Sequence, residues 1–121
     1  MSALNLIIDD GSVAAGDRLS GKLSYPTQVP IKEIRVELRW YTEGRGTRDS
    51  KVVDTCALDP QQLTIGIPVP FSLQTPHDGP VTYNGSLFRV IWEVRAMVVL
   101  SGMLNKKEKQ ARPVNVVCRR L

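Results

Sequence analysis

Asp9, Asp10 and Asp17 are the first side chains whose type and spacing suggest chemistry. Calcium takes about six to eight oxygens, mostly from closely spaced acids on converging loops. Asp9-Asp10-Gly11 also makes an ordinary turn, and that is the expected role. His77-Asp78 pairs a base with an orienting carboxylate, but a serine hydrolase needs a nucleophile within reach of both. No Gly-x-Ser-x-Gly occurs, and the pair sits among prolines and glycines, as solvated loop residues do. Cys56 and Cys118 fall in predicted strands, where a free cysteine acts as a small buried hydrophobe. Arg119-Arg120 could activate Cys118 only if that thiol is exposed. The chain has 1 histidine and 2 cysteines, too few scattered candidates for a zinc site of about four ligands. Gly44-Arg45-Gly46 starts like a phosphate loop, but Asp49 stands where the third glycine belongs, and no helix follows. Asn84-Gly85-Ser86 is a glycosylation sequon that reads here as a turn. Catalytic, cofactor and metal residues are therefore not expected, nor is an enzyme.

Two surface groups remain. Lys106, Lys107, Lys109 and Arg112 cluster in a predicted loop with only Glu108 against them, and Arg119-Arg120 extends the basic run. They are the candidate contact for an anionic surface, peripheral rather than membrane-spanning, or simply solubilising charge. Specific nucleic-acid binding is not expected, because single-strand binders interleave aromatics with the bases and Tyr41 and Tyr83 are remote in sequence. Ile91, Met97 and Val99 lie on the nominally exposed parity of a strand. They are the candidate interface, covered either by the chain itself or by a partner.

The elements that must carry these residues repeat with period two. Leu4, Leu6 and Ile8 alternate with Asn5 and Ile7, and Ile34, Val36, Leu38 and Trp40 with Glu33, Arg35, Glu37 and Arg39. Leu63 to Leu73 alternate with Thr64, Gly66, Pro68, Pro70 and Ser72. Phe88, Val90, Trp92, Val94, Ala96 and Val98 form the longest inward set, and Val114, Val116 and Cys118 the last. Each set puts one side of a strand on a core. Shorter strands are expected at Leu19–Tyr25 and Lys51–Leu58. Trp40 and Trp92 are expected in the core. Pro68 and Pro70 mark an edge strand, since proline cannot donate to a ladder. The alternating charges from Glu33 to Arg39 read as a solvated face that pairs opposite charges across strands. Turn signals stand at Asp9–Ser12, Tyr25-Pro26, Glu43–Gly46, Leu58–Pro60, Thr75–Gly85 and Asn105–Lys109. No helical stretch is expected. The pattern predicts an all-β antiparallel sandwich of about seven strands, immunoglobulin-like.

Val13-Ala14-Ala15-Gly16-Asp17-Arg18-Leu19-Ser20-Gly21 resembles the opening of arrestin-like domains. Ile31 to Gly44 resembles their next strand. Val69-Pro70-Phe71-Ser72-Leu73-Gln74-Thr75-Pro76, Gly79-Pro80-Val81-Thr82-Tyr83-Asn84-Gly85 and Phe88 to Ala96 follow in the family's order. The similarity spans residues 4 to 118, and the family includes bacterial sporulation-control proteins. It implies an immunoglobulin-like sandwich that binds other proteins without an active site. Arrestins have two such domains, add a short helix and sense phosphate through a lysine pair. Leu4 to Asp10 holds no lysine, so phosphate sensing is not implied.

At 121 residues the chain has room for one domain, taken as 1–121. Hydrophobic residues are 42% and charged residues 23%, which places it among globular rather than disordered chains. Net charge is +4, which allows an acidic partner without demanding one. No transmembrane span or secretory signal is visible, so a cytoplasmic protein with reduced cysteines is expected, and the resemblance implies a bacterial one. The expected function is a non-catalytic scaffold or adaptor that binds protein through a sheet edge or outer sheet face. The alternatives are self-association as a homodimer and weak binding of anionic surfaces.

Overall fold

Alternation becomes strand wherever one side chain in two finds a hydrophobic partner opposite. A computed structural model describes residues 4–25, 30–45, 48–64, 66–102 and 106–118. Expectations that fall on Pro26, Gly46, Ile65, Asn105, Arg119 and Arg120 lie outside the described residues. Among the described residues the strands are β1 (Asn5–Ile8), β2 (Ser12–Ala14), β3 (Arg18–Ser24), β4 (Ile31–Gly44), β5 (Ser50–Ala57), β6 (Val69–Gln74), β7 (Tyr83–Asn84), β8 (Phe88–Leu100) and β9 (Lys107–Val117), with one short helix, α1 (Pro60–Thr64).

The strands form two sheets. The small one has the order β1-β3-β6, and the large one β2-β9-β8-β4-β5, with β7 pairing β8. All pairs are antiparallel except β2 with β9, which run parallel through Val13↔Val116. The inward parities meet between the sheets. Leu4, Leu6, Leu19, Leu23, Val69, Phe71 and Leu73 come from the small-sheet side. Ile34, Val36, Leu38, Trp92, Val94, Ala96 and Val98 come from the large sheet, all buried. Burying such side chains stabilises by about 1.5–3 kcal/mol each. The all-β sandwich is thus the observed architecture.

Several expectations change. Leu63, Thr64, Gly66, Ile67 and Pro68 are not strand. Asp59 caps α1 by accepting the Gln61 N–H at 3.0 Å, and Pro60 suits the first helical position. Gly66, at φ 86°, ends it. Its N–H reaches the Leu63 carbonyl at 3.1 Å and the Ile67 N–H reaches that of Gln62 at 3.0 Å, a Schellman closure. Leu63 is buried all the same, delivered by a helix. β6 is an edge strand with Pro70 exposed on it, and Pro68 lies just outside. Lys107, Lys109 and Arg112 lie in β9 rather than in a loop, because that segment pairs β8 from Val99↔Lys107 to Trp92↔Val114.

The sandwich is stitched at its sides. Along one side the Asp54 carboxylate on β5 accepts the Gln74 N–H of β6 at 2.7 Å. Along the other, the Tyr25 hydroxyl donates to Glu108, and Gln110 Nε2 donates to the Leu4 carbonyl at 3.4 Å. Burial, the bond to Glu108 and that carboxylate's charge push the Tyr25 phenol up to about 12.

Candidate functional site

Because Ile34, Val36 and Leu38 face the core, Glu33, Arg35, Glu37, Arg39 and Tyr41 must face outward from β4. The same parity on β8 turns out Ile91, Glu93, Arg95, Met97 and Val99. Register then sets the cross-strand neighbours: Tyr41↔Ile91, Arg39↔Glu93, Glu37↔Arg95, Arg35↔Met97 and Glu33↔Val99. Two of these are ion pairs. Arg39 Nη1 donates to Glu93 Oε1 at 2.8 Å, and Arg95 Nε donates to Glu37 Oε1 at 2.9 Å, with its Nη2 on the same oxygen. Arg35 reaches Glu33 at 3.4 Å along the strand, and Arg89 bonds Glu43. The alternating charges read from the sequence therefore form a cross-strand ladder. Arg39 and Glu93 side chains keep only 20% and 15% exposure, so their mutual compensation is partly desolvated. The Arg39 guanidinium also stacks 4.9 Å over the Tyr41 ring. Partial burial, then Glu93 and Glu43, raise the Tyr41 hydroxyl above its ordinary value.

The three apolar candidates do not share one environment. Ile91 and Met97 are partly exposed within this ladder. Met97 lines a shallow recess of about 240 Å³ with Arg35, Glu37, Arg95 and Lys109. Val99 is buried, at 6% exposure. Lys107 and Lys109 extend the same outer face, whereas Arg112 has the opposite parity and Lys106 precedes the strand. The basic cluster is thus divided between faces.

The remaining chemistry-bearing residues disperse. Asp9, Asp10 and Asp17 line one shallow cleft of about 330 Å³ beside Arg18, but Asp10 Oδ1 accepts the Ser12 N–H at 3.2 Å as a turn does. Among the described residues no group of three or more His, Cys, Asp or Glu could hold a metal ion. The exposed His77 lays its ring against Gly16. Cys56 packs partly buried against the core, whereas Cys118 is exposed and follows the last strand residue. Its expected burial is therefore corrected. Trp92 is fully buried, its Nε1 donating to the Pro80 carbonyl at 3.0 Å. Trp40, across from it, is only partly buried.

One cluster escaped the sequence reading. Tyr83, Leu87 and Phe88 are 49%, 71% and 46% exposed, although Phe88 carries inward parity. β4 and β8 run 14 and 13 residues, while the small-sheet strands run 4 to 7. Phe88, paired with Gly44 at the last rung, has run past the small sheet.

No protein-family model matches the chain, and no curated protein matches it. Solved structures do. Spo0M, the sporulation control protein from Bacillus subtilis, superposes with a TM-score of 0.70 at 14% identity, covering 98% of this chain and 50% of that one. The chain thus spans half the length of Spo0M. The superoxide reductase (neelaredoxin) from Ignicoccus hospitalis superposes with a TM-score of 0.53 at 15% identity, covering 95% of this chain and 80% of that one. At such identities the likeness establishes the fold alone, and these two names show it carrying both a control protein and a redox enzyme. No helix among the described residues is long and apolar enough to cross a membrane.

Proposed function

We propose, from an arrestin-like sandwich shared with a sporulation control protein, that this chain is a non-catalytic regulatory domain that binds another protein through the outer face of its large sheet. The observation that carries the reading is the composition of that face. Tyr41, Ile91 and Met97 sit among Arg35, Arg39 and Arg95, and aromatic, Met and Arg side chains are those enriched in protein interfaces. Arg95 and Arg39 are already held by Glu37 and Glu93, so little of their side-chain freedom is lost when a partner docks. Ile91 and Met97 are the proposed anchors. Val99 has the same parity but is buried, so it is not one of them.

A homodimer is the second reading, favoured by the presence of both charge signs in alternation on one face. A two-fold contact pairs a patch with itself and needs such self-complementarity. Replacing Ile91 and Met97 together by Lys tests both readings. Light scattering reports self-association, and affinity capture with the chain as bait reports a foreign partner. The double variant is expected to weaken the complex by about 30-fold or more, with an unchanged circular dichroism spectrum. A complex that survives the double variant, or a strictly monomeric chain that captures nothing, overturns the proposal.

A further inference from the structure

At the end of the large sheet away from Lys107, two chain reversals stand side by side: β4 into β5, and β7 into β8. The Arg45 N–H donates to the Leu87 carbonyl at 3.2 Å. Gly44 has φ 137°, and a Cβ there would lie 2.4 Å from Leu87 O and 2.7 Å from Phe88 Cα. The two reversals are therefore in backbone contact and form one tip. Leu87 crowns it at 71% exposure, and the Tyr83 and Phe88 rings pack against each other with centroids 5.1 Å apart. Neither ring has a place in the core between the sheets. Arg45 and Arg48 are exposed beside them and make no ion pair among the described residues. The nearby acids are engaged: Glu43 by Arg89, and Asp49 through Oδ1 with the Ser50 N–H at 3.0 Å.

We infer that this tip docks on an anionic lipid bilayer, with Leu87, Phe88 and Tyr83 entering the boundary between headgroups and acyl chains while Arg45 and Arg48 meet lipid phosphates. The inference is independent of the outer-face reading, since it uses different residues. Shape favours a bilayer over a protein. Leu87 projects from the turn between β7 and β8, Tyr83 and Phe88 stand exposed in the strands on either side of it, and the adjoining cleft of about 320 Å³ is lined by Thr42, Glu43, Arg48 and Asp49 with Phe88. A protein partner would have to supply the apolar pocket, whereas a fluid bilayer accommodates a projecting group. An aromatic or aliphatic anchor beside arginine is the pairing that interfacial binding requires, since neither an apolar contact nor a few charges holds alone. The association is accordingly weak, reversible and salt-sensitive.

Vesicle flotation tests it with the parent chain, Leu87→Asp, and the pair Arg45→Glu/Arg48→Glu. The vesicles are phosphatidylglycerol with phosphatidylcholine, or phosphatidylcholine alone. The parent should float with the anionic vesicles and not with the neutral ones. Leu87→Asp should lower partitioning about tenfold to a hundredfold, as expected for losing one buried leucine, and the arginine pair should abolish it. Should Leu87→Asp fail to fold, Leu87→Trp provides a second readout, a blue-shifted emission on adding anionic vesicles. No flotation of the parent overturns the inference. So does flotation that survives Leu87→Asp but is lost when Lys106, Lys107 and Lys109 become Glu, which would move the contact to the other end of the sheet. So does a folded Leu87→Asp chain that keeps its lipid affinity and loses a protein complex instead.

Discussion

Trp92 and Trp40 face each other across β8 and β4, yet they carry different loads. Trp92 is wholly enclosed and its indole N–H is satisfied by Pro80, so Trp92→Ala should cost about 3–5 kcal/mol in urea unfolding. Trp40→Ala should cost less, and the Trp40 indole should be the one that a soluble quencher reaches. Tyr25 sets a limit at high pH. Its phenol is raised from 10.0 to about 12 in the folded chain, so the folded state holds the proton more tightly than the unfolded one. That contribution is fully present below pH 10 and is lost as the pH rises toward about 12. Unfolding followed across this window should show the decline, and Tyr25→Phe should flatten most of it. The cysteines separate as well. Cys118 should react at once with a thiol reagent, while Cys56, packed against the core, should wait for unfolding.

At the scale of elements, the question is how exposed strand edges are managed. β6 carries Pro70, which offers no N–H to an incoming strand. The β4–β5 ladder is interrupted by a register shift at Leu38/Arg39, and β5 is tied to β6 through Asp54. Asp54→Ala would leave the Gln74 N–H without its charged acceptor, at a cost of about 1.5–3 kcal/mol by urea midpoint. The first half of β9 pairs only β8 among the described strands, because β2 joins it at Asn115–Val117. This half carries Lys107, Lys109, Arg112 and Pro113, the charges and proline with which natural sheets discourage edge-to-edge pairing. An edge guard is the role expected of these residues. Replacing Lys107 and Lys109 with Thr or Val should increase aggregation on concentration, measured by light scattering, with little change in stability.

At the scale of the molecule, two surfaces among the described residues have a composition that folding does not explain. One is the outer face of the large sheet, with Ile91 and Met97 among paired charges. The other is the tip with Tyr83, Leu87 and Phe88. They lie on different parts of the sheet, so the Ile91/Met97 double Lys variant should leave vesicle binding intact, and Leu87→Asp should leave a protein complex intact. Finding that each variant abolishes both activities would mean that the two surfaces act as one. The proposed protein-binding role therefore rests on the outer face and its variants, and the proposed lipid contact on the tip. Spo0M and the superoxide reductase share the fold with this chain at 14% and 15% identity, and a fold so shared does not transmit a partner or a reaction.

Alternation is a local property of the pleat, and the sequence by itself determined what depends on it. It identified most strands, the inward sets from Leu4 to Leu6, Ile34 to Leu38 and Val90 to Val98, the charge ladder from Glu33 to Arg39, and the edge marked by Pro70. Even α1 left a signal in Asp59-Pro60 and Gly66, overlooked because Leu63 fitted a period-two run. Only the tertiary structure decided what stands opposite each residue. Phe88 has the same parity as Trp92 and is exposed, because the small sheet ends before reaching it. Met97 and Val99 share a face, yet one is partly open and the other buried. Lys107 and Arg112 are close in sequence and point to opposite sides of a strand. Burial is a relation between elements far apart in the chain, and no local pattern records where the partner element stops.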